Sequence, residues 1–140
     1  MAKYELLEIE EGDLKGFYRI KALVSSKSFK KEEVGGIVVS KDSLSQEGEC
    51  WLRKDSFILD NAKVSGDVLI ENSSIRGDAI INGNGRIISS LIKDKAYLKG
   101  NFLILSAYIS GNSIIEGDVK ISFSNIENNE KLEIINIAIV

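Results

Sequence analysis

The chain has 140 residues, with 18 basic and 21 acidic side chains and a formal net charge of −3. This length predicts one domain, and the mild acidity lacks the basic footprint expected of a nucleic-acid-binding protein. The sequence contains no histidine, so the commonest general base and the commonest metal ligand are both missing. It also contains no proline, which fits a backbone whose N–H groups are used in β-sheet hydrogen bonds.

The first 50 residues contain no repeat and predict a small N-terminal β module. Tyr4–Ile9 and Phe17–Val24 have strand-like composition and are separated by a glycine-containing turn, which predicts a hairpin. Gly35-Gly36 predicts a second turn, before a strand at Ile37–Ser40. A stack of β-coils exposes its core and unpaired edges at both ends. We therefore expect this module to cap the segment that follows.

From about residue 56 to about residue 128, the sequence repeats the same residue types every 17 positions. Three columns of apolar side chains show the repeat, separated by steps of 6, 6 and 5 residues. The columns are Ile58, Ile75, Ile92, Ile109 and Ile126; then Val64, Ile81, Leu98, Ile115 and Leu132; then Ile70, Ile87, Ile104 and Ile121. A glycine lies two positions after the second column in four successive repeats, at Gly66, Gly83, Gly100 and Gly117.

This pattern predicts three short strands and three corners in each repeat. Small residues two positions before the large ones fit the alternation of a strand, and glycine followed by Asp or Asn fits a corner. Steps of 6, 6 and 5 do not keep one face of a helix. The predicted fold is all-β: a triangular parallel β-helix with 17-residue coils, for which the hexad composition favours the left hand. The predicted units are residues 1–50 as the cap, 51–130 as the solenoid, and 131–140 as a last strand, cap or oligomer contact.

Four short motifs occur in order along the first half of the chain. They are Tyr18–Leu23 (YRIKAL), Gly35–Ser40 (GGIVVS), Leu44–Trp51 (LSQEGECW) and Asp60–Asp67 (DNAKVSGD). With them, residues 17–128 resemble the YdcK-like bacterial β-solenoid family, in which such a head precedes hexad repeats. The resemblance implies a solenoid of bacterial or phage origin without a catalytic motif. After Asp67 the hexads of this chain are degenerate, and every third one is a residue short.

No residue pattern predicts catalysis or metal binding. Acyltransferases and carbonic anhydrases built on similar solenoids depend on histidine, so neither chemistry is available here. Cys50 beside Trp51 has no histidine partner, and both residues are expected to pack in the core of the first coil. The basic residues around Phe29 are followed at once by two glutamates, which favours a solvated loop. The aspartates at corners are expected to serve as turn residues rather than calcium ligands, at Asp60, Asp78, Asp94 and Asp118. We predict no catalytic residue, cofactor or metal.

Apolar residues at outward-facing positions are the strongest functional signal. Contiguous apolar patches on a protein surface mark contact sites. The candidate interaction surface comprises Leu69, Ile88, Leu103, Leu105, Ile80, Tyr97, Ile114 and Tyr108, and the 17-residue spacing places Ile80, Tyr97 and Ile114 in one ladder. Three uses remain open for these residues: cover by the N-terminal module or the C-terminal tail, contact between copies of the chain, or binding of a partner protein.

The expected function is a non-catalytic protein-interaction module. It would be encoded by a phage or mobile element, form a homodimer, and bind and occlude a host protein such as a defence nuclease. The chain start carries no apolar segment typical of a secretory signal, and no apolar run approaches the roughly 20 residues that cross a bilayer. We therefore expect a cytoplasmic protein with no membrane partner and no nucleic-acid partner. The alternatives are a self-assembling structural solenoid and a binder of small ligands.

Overall fold

The computed structural model describes residues 2–127 and, for the backbone alone, residues 132–135 and 138–139. All regular structure in these ranges is β. The strands are β1 (Tyr4–Glu8), β2 (Tyr18–Ala22), β3 (Val34–Val38), β4 (Trp51–Leu52), β5 (Phe57–Ile58), β6 (Lys63–Glu71), β7 (Ser74–Ile75), β8 (Ile80–Ile88), β9 (Leu91–Ile92), β10 (Tyr97–Leu105), β11 (Tyr108–Ile109), β12 (Ser113–Glu116), β13 (Asp118–Ser122), β14 (Asn125–Ile126), β15 (Leu132–Ile135) and β16 (Ala138–Ile139).

The strands stack as a parallel β-solenoid with a 17-residue coil. In one sheet the short strands β5, β7, β9, β11 and β14 follow one another in parallel, so Ile75 pairs with Ile58 before it and Ile92 after it. In the other sheet β6, β8 and β10 pair along their full length, with Val64 opposite Ile81. The predicted all-β solenoid and its period are confirmed.

Each coil turns at three corners, where the backbone adopts positive φ. The corner positions recur in the predicted order of 6, 6 and 5 residues. Their φ values range from +47° to +159°, at Asp60, Gly66, Asn72, Gly77, Gly83, Ser89, Asp94, Gly100, Ser106, Gly111, Gly117 and Phe123. At Gly66 a Cβ atom would lie 2.3 Å from the carbonyl oxygen of Gly83. A side chain there would collide with the next coil, which explains the glycine column.

The three predicted apolar columns fill the interior. Ile58, Ile75, Ile92 and Ile109 are fully buried, as are the inward members of the other two columns up to residue 121. Buried serines connect the coils beside them: Ser56 Oγ accepts the backbone N–H of Ser73 at 3.1 Å, and Ser73 Oγ accepts that of Ser90 at 3.0 Å. Each hydroxyl thus satisfies a polar group inside the solenoid that would otherwise be costly to bury.

The N-terminal residues form the first layer of the stack. β1 and β2 are the predicted antiparallel hairpin, and β2 pairs with β3. β3 then runs parallel to β5, with Val38 opposite Ile58. The cap and the solenoid therefore share one continuous sheet, and the first coil draws on residues of the predicted N-terminal module.

Two sequence expectations are corrected. Gly35 and Gly36 are not a turn but lie within β3. A Cβ at Gly36 would lie 2.3 Å from the carbonyl oxygen of Ser56, which explains the glycine there. Leu132 does not continue its column, since β15 places Leu132 beside Ser113 and Ile134 beside Ile115. The predicted C-terminal segment 131–140 supplies the backbone strands β15 and β16, and its remaining residues lie outside the described ranges.

Ile92→Ala and Ile80→Ala form a matched test of this architecture. Ile92 is fully buried, whereas Ile80 is 43% exposed. We expect Ile92→Ala to lower the free energy of unfolding by about 3 kcal/mol, since it leaves a cavity. Ile80→Ala should change it by no more than about 0.5 kcal/mol. Urea denaturation measures both values, and equal losses would contradict the assigned inward and outward faces.

Candidate functional site

The N-terminal cap packs on the first coil through aromatic side chains. Phe29 and Trp51 stack with ring centroids 4.5 Å apart, and both rings are buried. Trp51 Nε1 donates a hydrogen bond to Glu33 at 2.9 Å, and Arg53 donates to the same carboxylate oxygen at 3.0 Å. The expected solvated loop therefore turns Phe29 inward, and the prediction that Trp51 lies in the core is confirmed.

Cys50 is a buried thiol held by a buried lysine. Lys3 Nζ donates to the carbonyl oxygen of Cys50 at 2.7 Å and lies 3.2 Å from its Sγ. It also donates to the carbonyl oxygens of Glu47 and Gly48, both at 3.4 Å. Burial raises the pKa of the Cys50 thiol, although the Lys3 ammonium acts in the opposite direction. A protonated, inaccessible thiol is a poor nucleophile, so Cys50 does not offer a reactive group.

The outer edge of β1 is partly closed by a side-chain amide. Gln46 Oε1 accepts the backbone N–H groups of Lys3 at 2.8 Å and Tyr4 at 3.1 Å. Gln46 Nε2 donates to the carbonyl oxygen of Tyr4 at 3.0 Å. The amide takes the place of a neighbouring strand at this position, which blocks edge-to-edge pairing there.

An outward ladder of apolar side chains crosses three coils on one face. Ile80, Tyr97 and Ile114 are register partners on β8, β10 and β12. Ile80 and Tyr97 are 43% and 37% exposed, and Ile114 is half-buried. We call these three residues the apolar ladder. A polar ladder runs beside it across β6, β8, β10 and β12, at Ser65, Asn82, Lys99 and Glu116.

The other predicted surface residues do not join this ladder. Leu69 and Leu103 lie in one outward ladder with Arg86 between them, and Ile88 pairs with Leu105 in the next. All four leucine and isoleucine side chains are half-buried. Tyr108 lies on the third face, where Lys93 Nζ sits 5.4 Å from its ring centroid. The structure thus brings three of the eight predicted residues together and spreads the rest over separate ladders.

A groove opens at one end of the apolar ladder. Its volume is about 560 Å³, and it lies between the Val39–Ser43 segment and the corners of the first coils. Ile80 lines it together with Asp42, Asp60 and Asp78. This groove could not be predicted from the sequence, because Asp42 comes from the cap. The parallel pairing of β3 with β5 brings it to the corner that holds Asp60.

A second groove of about 720 Å³ runs along another corner of the coils. Serine and asparagine side chains line most of it, beside Phe57, Leu91, Tyr108 and Phe123. Phe123 is 79% exposed and has φ of +50°, a conformation that is rare for a bulky residue. Phe123 does not stand out in the sequence, because the equivalent positions in earlier coils hold Asn72, Ser89 and Ser106.

Comparison with protein-family models and with curated proteins found no match to this sequence. Within the part of the chain that the structure describes, no helix is long and apolar enough to cross a membrane. In the same residues, no group of three or more Cys, Asp or Glu side chains is arranged to hold a metal ion. Two of the corner aspartates bind backbone, since Asp60 and Asp94 accept the N–H groups of Gly77 at 3.0 Å and Gly111 at 2.9 Å.

Alkaline pH should destabilise the protein through the buried Cys50 thiol and Tyr4 phenol. Burial, the largest cause in both cases, raises both pKa values. In the unfolded chain these groups ionise near pH 8.5 and about 10, whereas the folded chain holds their protons to higher pH. Their stabilising contribution is therefore complete below about pH 8.5 and is lost as pH rises toward the folded values.

Urea denaturation between about pH 7 and about pH 11 measures this effect. We expect the free energy of unfolding to fall across the range, and Tyr4→Phe to reduce the slope in its upper part. Tyr97→Phe, on the exposed face, is the matched variant for comparison. A free energy of unfolding that does not change from neutral to alkaline pH would contradict the assignment.

Proposed function

We propose that the chain is a non-catalytic protein-binding module and that the apolar ladder is its contact face. The observation that carries the proposal is the alignment of Ile80, Tyr97 and Ile114 in register on adjacent strands, with Ile80 and Tyr97 partly exposed. An apolar centre beside a polar border is typical of protein interfaces. Tyrosine is also among the residues that contribute most to binding at such centres.

The solenoid suits this role because the face is rigid before a partner arrives. β8 and β10 are paired along nine residues each and have neighbours on both sides. Beside the apolar ladder, Lys99 Nζ and Glu116 Oε2 lie 3.1 Å apart and form an ion pair. A surface ordered in advance loses little conformational entropy when it binds.

The partner we favour is a host protein that the module occludes, with the module itself a homodimer in the cytoplasm. Two features support this part of the proposal: the small size of the chain, and the resemblance of residues 17–128 to the YdcK-like family of bacterial and phage solenoids. A discrete inhibitor fits these features better than a self-assembling rod, since Gln46 closes part of the β1 edge where end-to-end growth would begin.

Tyr97→Asp and Tyr108→Asp test the contact face. Both replace an outward tyrosine by a carboxylate, but on different faces of the solenoid. In affinity capture from bacterial lysate, we expect the parent chain to retain a stoichiometric partner. Tyr97→Asp should lose that partner by at least about tenfold, because it places a charge in the apolar centre. Tyr108→Asp should retain it.

Circular dichroism and light scattering accompany the capture, to show that both variants are folded and have the parent's oligomeric state. Loss of the partner only in Tyr108→Asp would move the contact to the third face. A parent chain that captures no partner, and whose assemblies become larger as its concentration rises, would refute the proposal. That result would favour the self-assembling structural solenoid.

A further inference from the structure

We propose that the partner binds through a basic, apolar segment: an arginine or lysine enters the acidic groove while a neighbouring aliphatic or aromatic side chain packs on the apolar ladder. The inference rests on the proposed function and deepens it, since it names the chemistry of the segment that the face recognises. Ile80 is the residue that connects the two features, because it belongs to the ladder and also lines the groove.

The groove carries excess negative charge. Asp42, Asp60 and Asp78 line it, and Lys63 is the one cation among its lining residues. All four side chains are exposed. Asp78 also lines the next cavity along the same corner, together with Asp94 and Lys95 of the following coil. Because Asp94 and Lys95 carry opposite charges, the excess negative charge is centred on the groove itself.

Two of the three carboxylates are held in place by neutral donors. Asp60 Oδ2 accepts the backbone N–H of Gly77 at 3.0 Å, and Asp78 Oδ1 accepts the side-chain amide of Asn61 at 3.2 Å. Within residues 2–127, no cationic side chain lies within ion-pair distance of Asp42, Asp60 or Asp78. The Asp60 and Asp78 carboxylates are thus fixed in position while their charge remains uncompensated, so two acceptors for a cation are already ordered.

Charge complementarity selects the occupant. Nucleic acid and acidic membrane surfaces would be repelled by three carboxylates. A neutral apolar segment would cover the ladder but leave the groove without a counter-charge. A guanidinium or ammonium group would pair with the carboxylates, and the adjacent apolar side chain would bury Ile80. A segment with both features satisfies the groove and the ladder together.

The test is a selection of random displayed peptides of about ten residues against the immobilised full chain. We expect enriched peptides to place Arg or Lys next to an aliphatic or aromatic residue. Fluorescence polarisation with the most enriched peptide then measures affinity. Asp42→Asn combined with Asp78→Asn should weaken binding at least about tenfold, and Ile80→Ser should do the same. Asp13→Asn, which neutralises an exposed carboxylate on the β1–β2 turn, is the matched control and should leave affinity unchanged.

Salt provides a second readout. Raising it from about 50 to about 500 mM should weaken the parent complex strongly and the double Asn variant only slightly, because the charges it screens are absent from the variant. Peptides whose binding requires Ile80 and Tyr97 but is unaffected by both Asn substitutions would refute the proposal that the bound segment is basic. They would still agree with the apolar ladder as the contact face. Enriched peptides that are acidic or neutral, or whose binding is unaffected by all of these substitutions, would overturn the inference. Binding that is unaffected by substitution of Ile80 and Tyr97 would also contradict the proposed contact face.

Discussion

The structure depends on hydrogen bonding between residues 17 positions apart. Each coil pairs its backbone with the coil before and after it, so a residue type suited to one layer must recur in the next. The side chains extend the same register: Ser56, Ser73 and Ser90 each bind the backbone 17 residues later, and Asp60 and Asp94 do so at a corner. Among the described residues, every buried side-chain nitrogen and oxygen has a hydrogen-bond partner. The solenoid therefore tolerates degenerate hexads as long as the inward columns and corner positions keep their spacing.

Much of this fold could be predicted because its information is local and repeated. The isoleucine column through Ile92 and the glycine column through Gly66 both follow from the period. The N-terminal layer could not be read in the same way, because each of its contacts occurs once. Gly35 and Gly36 look like a turn in sequence, yet they are glycines because the backbone of residues 52–56 passes within 2.6 Å of where their Cβ atoms would lie. Phe29 similarly lies in a polar segment, and its stacking on Trp51 is set by a tertiary contact alone.

The candidate site also has one part that could be predicted from the repeat and one part that could not. The alternation of the strands placed Ile80, Tyr97 and Ile114 in one outward ladder, and the structure confirms that arrangement. The acidic groove was not predictable, because it requires the Val39–Ser43 segment of the cap to lie against the corners of later coils. The solenoid thus supplies a regular, rigid face, and the cap adds the one irregular feature beside it. In the proposed function the regular part provides apolar area, and the irregular part provides selectivity for charge.

Deletion within the solenoid tests the register most directly. Removing residues 82–98 takes out one complete 17-residue coil and joins Ile81 to Lys99, which follows Leu98 in the equivalent column. Removing residues 82–90 takes out about half a coil and places corner residues on the faces of the strands. The account predicts that the larger deletion keeps a cooperatively unfolding all-β protein by circular dichroism and thermal denaturation, while the smaller one does not fold. A half-coil deletion that is as stable as the whole-coil deletion would contradict the 17-residue register on which the structure depends.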